Sequence, residues 1–374
     1  MTSKQQHRFK RILKAIGLSV NVGVAILTLS AAYGGTIDPA TTPAGAIMAM
    51  TFPMFLLVTL LLLAINLMWW RRMTLINAIS LMLCISPILT FCPLNFFRPD
   101  MHEIQELDRP TFKLMTYNVL GLQDLTRHND QAIDGNTTIS YILREEPDIV
   151  MLQEGHGITS GGQNLNITRQ QHQDLLHIYR HHHIDSHGMG ILSKYPVTPM
   201  EMKSDDIPGL DAHRYDIRID GHTIHLINVH MQSIGLTRHD KDVYVNITEG
   251  DTPDQMTEIR HGILHKLAEA FRARALQAKA LRADIESLEG TVLLCGDFND
   301  IPGCYASRVI AGGDMTDAYR QAGIGPAITY HADKLYFRID QIFYRGRLNA
   351  LRAWTGDCKS SDHYPLMCIF EITP

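Results

Sequence analysis

Three long apolar runs fill the first quarter of the chain, and an alternation of strand-like and helix-like segments fills the rest. From Ile16 to Tyr33 the residues are apolar or small. From Ala44 to Trp70 they are more strongly so, centred on Phe55-Leu56-Leu57-Val58-Thr59-Leu60-Leu61-Leu62-Leu63, and a third run goes from Met73 to about Phe97. A helix rising about 1.5 Å per residue needs roughly 18 to 25 residues to cross a hydrocarbon core about 30 Å thick. The pattern therefore predicts three transmembrane helices, at about 15–33, 45–69 and 74–94. Pro53 is tolerable inside the second, because neighbouring helices in a bilayer can satisfy the backbone groups it frees. Trp69 and Trp70 suit the interfacial belt. The competing reading of the first run is a cleaved signal peptide, whose apolar stretch is shorter, about 7–15 residues, and which two further spans would not follow.

Beyond residue 97 the periodicity changes. Phe112 to Val119 alternates as a strand, Ile139 to Glu146 is helical and stops at Pro147, and Ile149 to Glu154 is a strand again. Further strands are Gly190–Ser193, Tyr215–Ile219 and Thr223–His230, the last two joined by a hairpin turn at Asp220-Gly221. A long helix from about Gln255 to Ser287 sets Ile263, Leu267, Phe271 and Leu281 at helical spacing. Strands at Thr291–Phe298, Arg338–Tyr344 and Tyr364–Phe370 complete the series. Many strands with few helices imply an α/β chain of the α+β kind, a two-sheet sandwich. The expected organisation is a membrane anchor over 1–97 and one large domain over 98–374.

Charge sharpens that division. The chain has 34 Lys and Arg against 39 Asp and Glu, a formal charge of −5. Residues 1–97 hold seven of the basic residues and one acidic residue, Asp38, so the remainder carries −11. Lys4, Arg8, Lys10, Arg11 and Lys14 precede the first span and Arg71-Arg72 join the second to the third. The positive-inside rule then puts the N-terminus in the cytoplasm and the large domain on the non-cytoplasmic side of a cell (inner) membrane. An acidic domain argues against binding nucleic acid by a dominating basic surface.

The informative polar residues sit at strand ends: Asn118, Glu154, His230, Asp297, Asn299, Asp340, Asp362 and His363. Singly, each reads as a turn or cap residue. As a set they hold more. Asp297 and Asn299 are two apart, so on an extended chain both side chains project to one side. Glu154 and Asp362 offer the hard oxygens that Mg²⁺ prefers, and Asp340 can orient an imidazole. These parts make a metal-assisted hydrolase.

The strings Thr116-Tyr117-Asn118-Val119, Leu152-Gln153-Glu154, Gly190-Ile191-Leu192-Ser193-Lys194-Tyr195-Pro196, Asn228-Val229-His230, Gly296-Asp297-Phe298-Asn299-Asp300, Ile339-Asp340-Gln341-Ile342 and Ser361-Asp362-His363-Tyr364-Pro365 resemble, in order, the motifs of the endonuclease/exonuclease/phosphatase superfamily. The resemblance runs from about Lys113 to Ile372 and leaves out the N-terminal spans. It implies a four-layer α-β-β-α sandwich of the DNase I-like type with its site at one end. It also implies roles. Glu154, assisted by Asn118 and Asp362, would hold Mg²⁺ or Mn²⁺, and His363, paired with Asp340, would take the proton from the attacking water. Asp297 and Asn299 would position that water and the phosphate; His230 would bind a phosphate oxygen or protonate the leaving group. The implied substrate is a phosphate ester, either nucleic acid or a phospholipid or inositol-phosphate head group, with the bilayer as the other partner and no obligate protein partner evident. A membrane-tethered binding module that has lost catalysis is the alternative of another class.

Three features stay outside this assignment. The histidines between His177 and His187 read as a solvated loop or edge that could line the cleft, and the polar stretch 236–259 reads as a substrate-contacting loop or an insertion. Cys304 and Cys358 could form a disulfide in an oxidising exterior.

Overall fold

The computed structural model describes residues 3–126, 135–159, 167–235, 256–332 and 334–374. It divides into two compact units, residues 1–91 with 303–305, and 92–302 with 306–374.

The first unit is helical: α1 Ser3–Tyr33, α2 Ala44–Met50, α3 Phe52–Trp69, α4 Arg71–Leu83 and α5 Ile85–Phe91. Among the described residues two helices are long and apolar enough to cross a membrane, Lys4–Thr36 and Phe52–Trp69; α4 and α5 make a third candidate only as a pair bent by 64°. The second and third apolar runs are thus each broken, at Thr51 and at Cys84. Both breaks fall just before a proline, Pro53 and Pro87. Proline lacks the N–H and crowds the preceding turn, so it begins a helix more readily than it continues one.

Asparagines join the three main helices of this unit. Asn21 Oδ1 on α1 accepts from Asn66 Nδ2 on α3 at 2.6 Å and from Asn77 Nδ2 on α4 at 2.8 Å, and all three residues are buried. Thr28 and Thr59 meet at 2.7 Å between α1 and α3. In an apolar surround such interhelical bonds contribute about 0.6 kcal/mol each and at most about 1.7. Asn21→Ala, which removes the shared acceptor, is expected to destabilise the bundle about twice as much as Asn66→Ala in thermal unfolding in detergent. Equal losses would count against a shared node.

The second unit holds α6 Met101–Gln105, α7 Thr137–Glu145, α8 Arg169–Ile178, α9 Met256–Glu286, α10 Tyr305–Ala311 from its second residue, and α11 Ala318–Ala322. Its strands are β1 Thr111–Asn118, β2 Ile149–Gln153, β3 His181–Ile184, β4 Gly190–Ser193, β5 Val197–Met200, β6 Asp211–Ile219, β7 His222–His230, β8 Thr291–Asp297, β9 Thr316–Asp317, β10 Asp340–Arg345, β11 Leu348–Thr355 and β12 Leu366–Ile372. They form two six-stranded sheets, β11-β12-β1-β2-β4-β3 and β5-β6-β7-β8-β10-β9.

Strand alternation builds the layers. Phe112 and Leu114 of β1, with Ile149 and Met151 of β2, face the other sheet and pack on Ile217, Ile224, Leu226, Leu293 and Ile342. The opposite face of β1, Met115 and Tyr117, packs with Ile139 and Ile142 of α7 and Leu175 of α8. On the far side Ile227, Val229 and Leu294 meet Ala278, Leu281 and Ile285 of α9. The result is the expected α-β-β-α sandwich. The Asp220-Gly221 turn also forms as expected: Ile219 pairs with His222, and both turn residues have positive φ, +49° and +80°.

Candidate active site

The parallel pairs β1·β2 and β7·β8 end together, which brings Asn118, Glu154, His230 and Asp297 to one end of the sandwich. β10 enters antiparallel there, with Asp340 opposite Asp297. Where β2 ends, Glu154 turns left-handed at φ +56° and its carbonyl accepts from Gly121 N–H at 3.0 Å. The following Gly155 N–H donates to Gly188 O at 2.7 Å. Gly188 has φ +81°, and a Cβ there would lie 2.6 Å from Gly155 N, so this approach requires glycine.

Asn118 Nδ2 donates to Glu154 Oε1 at 3.0 Å and to Asp297 Oδ2 at 3.1 Å, so one amide spans two carboxylates from different sheets. His230 Nε2 lies 3.9 Å from Glu154 Oε1 and 3.7 Å from Asp297 Oδ2. His363 Nε2 lies 3.6 Å from Asp297 Oδ2, while its Nδ1 is 2.8 Å from Asp340 Oδ2. Asp362 joins through Ser361, whose Oγ donates to Asn118 O at 2.7 Å and lies 3.3 Å from Asp362 Oδ1. The structure thus brings six of the eight sequence-predicted side chains into one connected cluster, with Asp362 tied to it through Ser361 and the Asn118 backbone.

Asn299, the eighth, departs from the extended-chain argument. It lies past the end of β8 at φ +49°, its N–H donates to Asp297 Oδ1 at 2.8 Å, and its Nδ2 donates to Met231 O at 3.0 Å. A left-handed residue does not follow strand alternation. Its side chain fastens the loop after β7 to the loop after β8.

Several further residues position these side chains. Gln153 Nε2 donates to Asn228 Oδ1 at 2.7 Å, and Asn228 Nδ2 donates to Leu152 O and Gly190 O, a polar bridge between the sheets beneath the site. Thr329 Oγ1 accepts the N–H groups of Ile339 and Asp340, and the Tyr330 ring meets His363 edge-on at 5.2 Å. Arg274 of α9 is fully buried, donates to Gln232 O at 3.0 Å and lies 3.7 Å from Asp300, holding the loops that follow His230 and Asn299.

Four carboxylates, Glu154, Asp297, Asp340 and Asp362, surround two imidazoles. Among the described residues, Glu154 and Asp297 ion-pair only with those imidazoles. Burial alone would lower the pKa of His363, but Asp340 and then Asp297 outweigh it and raise it from 6.5 to about 10. With four carboxylates to two imidazoles the site carries an excess of negative charge, which suits a cation. Asp297, Asp340 and His363 form a buried group whose ligand atoms lie within 4.8 Å of one another and could hold an ion. In that trio, however, His363 Nδ1 is already spent on Asp340. Glu154, about one-third exposed, has hard oxygens facing the cleft beside Asn118, and fits a Mg²⁺-type ion better.

Of the histidines singled out in the sequence, His181, His182 and His183 lie on β3, the last strand of the first sheet, while His177 lies in the last turn of α8 and His187 in the turn before β4. Of the stretch 236–259, residues 236–255 lie outside the described residues and 256–259 belong to the first turn of α9 rather than to a loop. Among the described residues no disulfide joins Cys304 to Cys358, so the suggested bridge is not formed.

A model of the Endonuclease/Exonuclease/phosphatase family matches residues 115–363, a span that contains every site residue from Asn118 to His363. A domain of unknown function (DUF8431) matches residues 10–91. No curated protein matches the sequence. Among solved structures, an endonuclease/exonuclease/phosphatase from Beutenbergia cavernae is 18% identical, covering 71% of this chain and 72% of its own, with a TM-score of 0.45. D. rerio TDP2 complexed with a single-strand DNA product is 16% identical, covering 70% and 99%, TM-score 0.45. ANGEL2, a 2',3'-cyclic phosphatase, is 15% identical, covering 72% and 97%, TM-score 0.42.

Proposed function

The chain belongs to the endonuclease/exonuclease/phosphatase family, and from that premise we propose that it is a membrane-anchored, divalent-metal-dependent phosphodiesterase. The N-terminal unit, residues 1–91, would serve as the anchor and the unit that starts at Cys92, rather than at 98, as the catalytic domain, facing away from the cytoplasm. The observation that carries the reading is the His363 imidazole, held by Asp340 at 2.8 Å with its other nitrogen 3.6 Å from Asp297 Oδ2, the same oxygen that accepts from Asn118.

A phosphodiester is an anion attacked by a nucleophile that becomes anionic, so the protein must supply positive charge and a base together. Glu154, Asn118 and Asp362 would hold Mg²⁺, or Mn²⁺, which when bound supplies Lewis acidity and charge neutralisation. With the carboxylate field compensated, His363 Nε2 can accept the proton of the attacking water. Asp340 fixes the tautomer that makes this nitrogen the acceptor. Asp297 orients the water. Asn299 holds the loop that presents Asp297. His230, within 4 Å of both Glu154 and Asp297, donates to a phosphate oxygen or to the leaving group.

Purified full-length protein should hydrolyse a phosphodiester in a panel of single- and double-stranded DNA, RNA, phospholipid head groups and inositol phosphates with Mg²⁺, and lose that activity in EDTA. Turnover that persists in EDTA, or none on any member of the panel, sinks the proposal. Metal-dependent binding without turnover would instead favour the binding-module reading.

A further inference from the structure

The segment that follows α5 inverts the usual rule for a solvent-facing surface. Its polar groups turn inward. Asn95 Nδ2 donates to Arg320 O at 3.0 Å and Gly323 O at 2.8 Å, Arg98 Nη1 donates to Ala322 O and Ala353 O, both at 3.0 Å, and Pro93 O accepts from Gly325 N–H at 2.8 Å. Several of these acceptors are the free carbonyls at the C-terminal end of α11, which need such partners. Leu94 also forms a bridge with Ile324. The segment is therefore a fixed part of the catalytic unit.

Its apolar side chains face outward. Leu94 is 52% exposed, Phe96 65%, Phe97 completely, and Ile324, beside Leu94, 37%. Adjacent apolar side chains held in the open by a rigid backbone mark a docking surface. Chain continuity names the occupant. Leu94 follows Phe91, the end of the last apolar helix, by three residues, and three residues reach about 10 Å at most. Aromatic and aliphatic side chains at that distance from an apolar helix end belong at the lipid–water boundary.

Building on the membrane-anchored reading above, we propose that Leu94, Phe96, Phe97 and Ile324 form a rigid patch by which the catalytic unit rests in the lipid–water interface. The catalytic domain is then held in one orientation at the bilayer instead of swinging on a tether. The favoured substrates become phosphate esters presented at head-group level.

The test reconstitutes the full chain in nanodiscs of phosphatidylcholine and phosphatidylglycerol doped with a phospholipid that carries a diazirine near its carbonyl. After irradiation, adducts are mapped by mass spectrometry. Adducts are expected at Leu94–Phe97 and, 230 residues away in sequence, at Ile324. Introducing two carboxylates into the patch by Phe96→Asp with Phe97→Asp should cut labelling at Ile324 by about tenfold, because carboxylates resist the apolar boundary, and leave labelling of α1 and α3 unchanged. Labelling at 94–97 without Ile324, labelling unaffected by the double substitution, or cross-linking of the patch to a second copy of the chain would each overturn the docking while the anchor reading stands. Unlabelled α1 and α3 would remove the anchor reading, and the patch's occupant with it.

Discussion

Asp340→Asn is expected to lower kcat by roughly 10³ to 10⁴-fold with little change in KM, by analogy with the buried carboxylate of a catalytic triad. Asp340 is completely buried and its Oδ2 accepts from His363 Nδ1 at 2.8 Å. An amide in its place can present a donor to Nδ1, which puts the imidazole proton on Nε2, the nitrogen that must accept. Substrate contacts are untouched, so the loss belongs in kcat. A loss below about tenfold would mean that His363 is not the base, since positioned proton transfer contributes at least about 10². The same substitution has a pH signature in the metal-free protein. His363 is raised from 6.5 to about 10, so its pairing contributes stability that is complete below about pH 6.5 and is lost as pH rises through 10. Asp340 is the largest contribution raising it. Thermal unfolding in EDTA should therefore show the greatest deficit for the variant below pH 6.5, shrinking toward pH 10. A deficit that grows with pH would reverse the assignment of charge.

How far the site is legible in the sequence depends on whether a residue's partner is near it in the chain. The strand that precedes Glu154 is apolar from Ile149 to Leu152, so the polar Gln153-Glu154 pair at its end is conspicuous. The left-handed turn that swings Glu154 toward Asn118 depends on Gly188, 34 residues later, and no local pattern reports it. Gln153 and Asn228 lie inside the strings that carry the family resemblance, yet their bond joins residues 75 apart across two sheets. Arg274 counts as polar in any helical periodicity and is buried because Gln232 and Asp300 wait for it. The edge strands are hidden for another reason. β3 is His-His-His-Ile and β5 contains Pro199, so neither alternates; sheet edges need only one set of backbone partners and tolerate such sequences. In the first unit, hydropathy reports where apolar residues run but not where Pro53 and Pro87 break the helix.

Charge arithmetic also changes meaning at the site. A catalytic segment at −11 looks unsuited to an anionic substrate. The four carboxylates of the cluster, ion-paired among the described residues only with imidazoles where pairs exist, concentrate that charge where a cation would sit. Local sign, not net sign, decides what enters the cleft.

Glu154→Gln tests that inversion directly. The substitution keeps the side chain's length and an oxygen to accept from Asn118 Nδ2, so the cleft should keep its shape. It removes one full negative charge from the proposed cation site. A hard divalent ion bound by few protein ligands depends on each carboxylate, and an effect of about 4 kcal/mol on transition-state charge corresponds to roughly 10³ in rate. Activity is expected to fall by about that factor at moderate Mg²⁺ and to recover partly at higher Mg²⁺ or with Mn²⁺. Stability supplies an independent readout. An ion that binds only the folded protein raises Tm with concentration, so Mg²⁺ should raise the wild-type Tm and leave the variant's nearly unchanged. Without metal the order should invert: removing one of several crowded carboxylates relieves repulsion, and the variant should be at least as stable as wild type in EDTA. If Mg²⁺ stabilised both proteins equally, Glu154 would not be a ligand, and the buried Asp297–Asp340–His363 group would become the place to look for the ion.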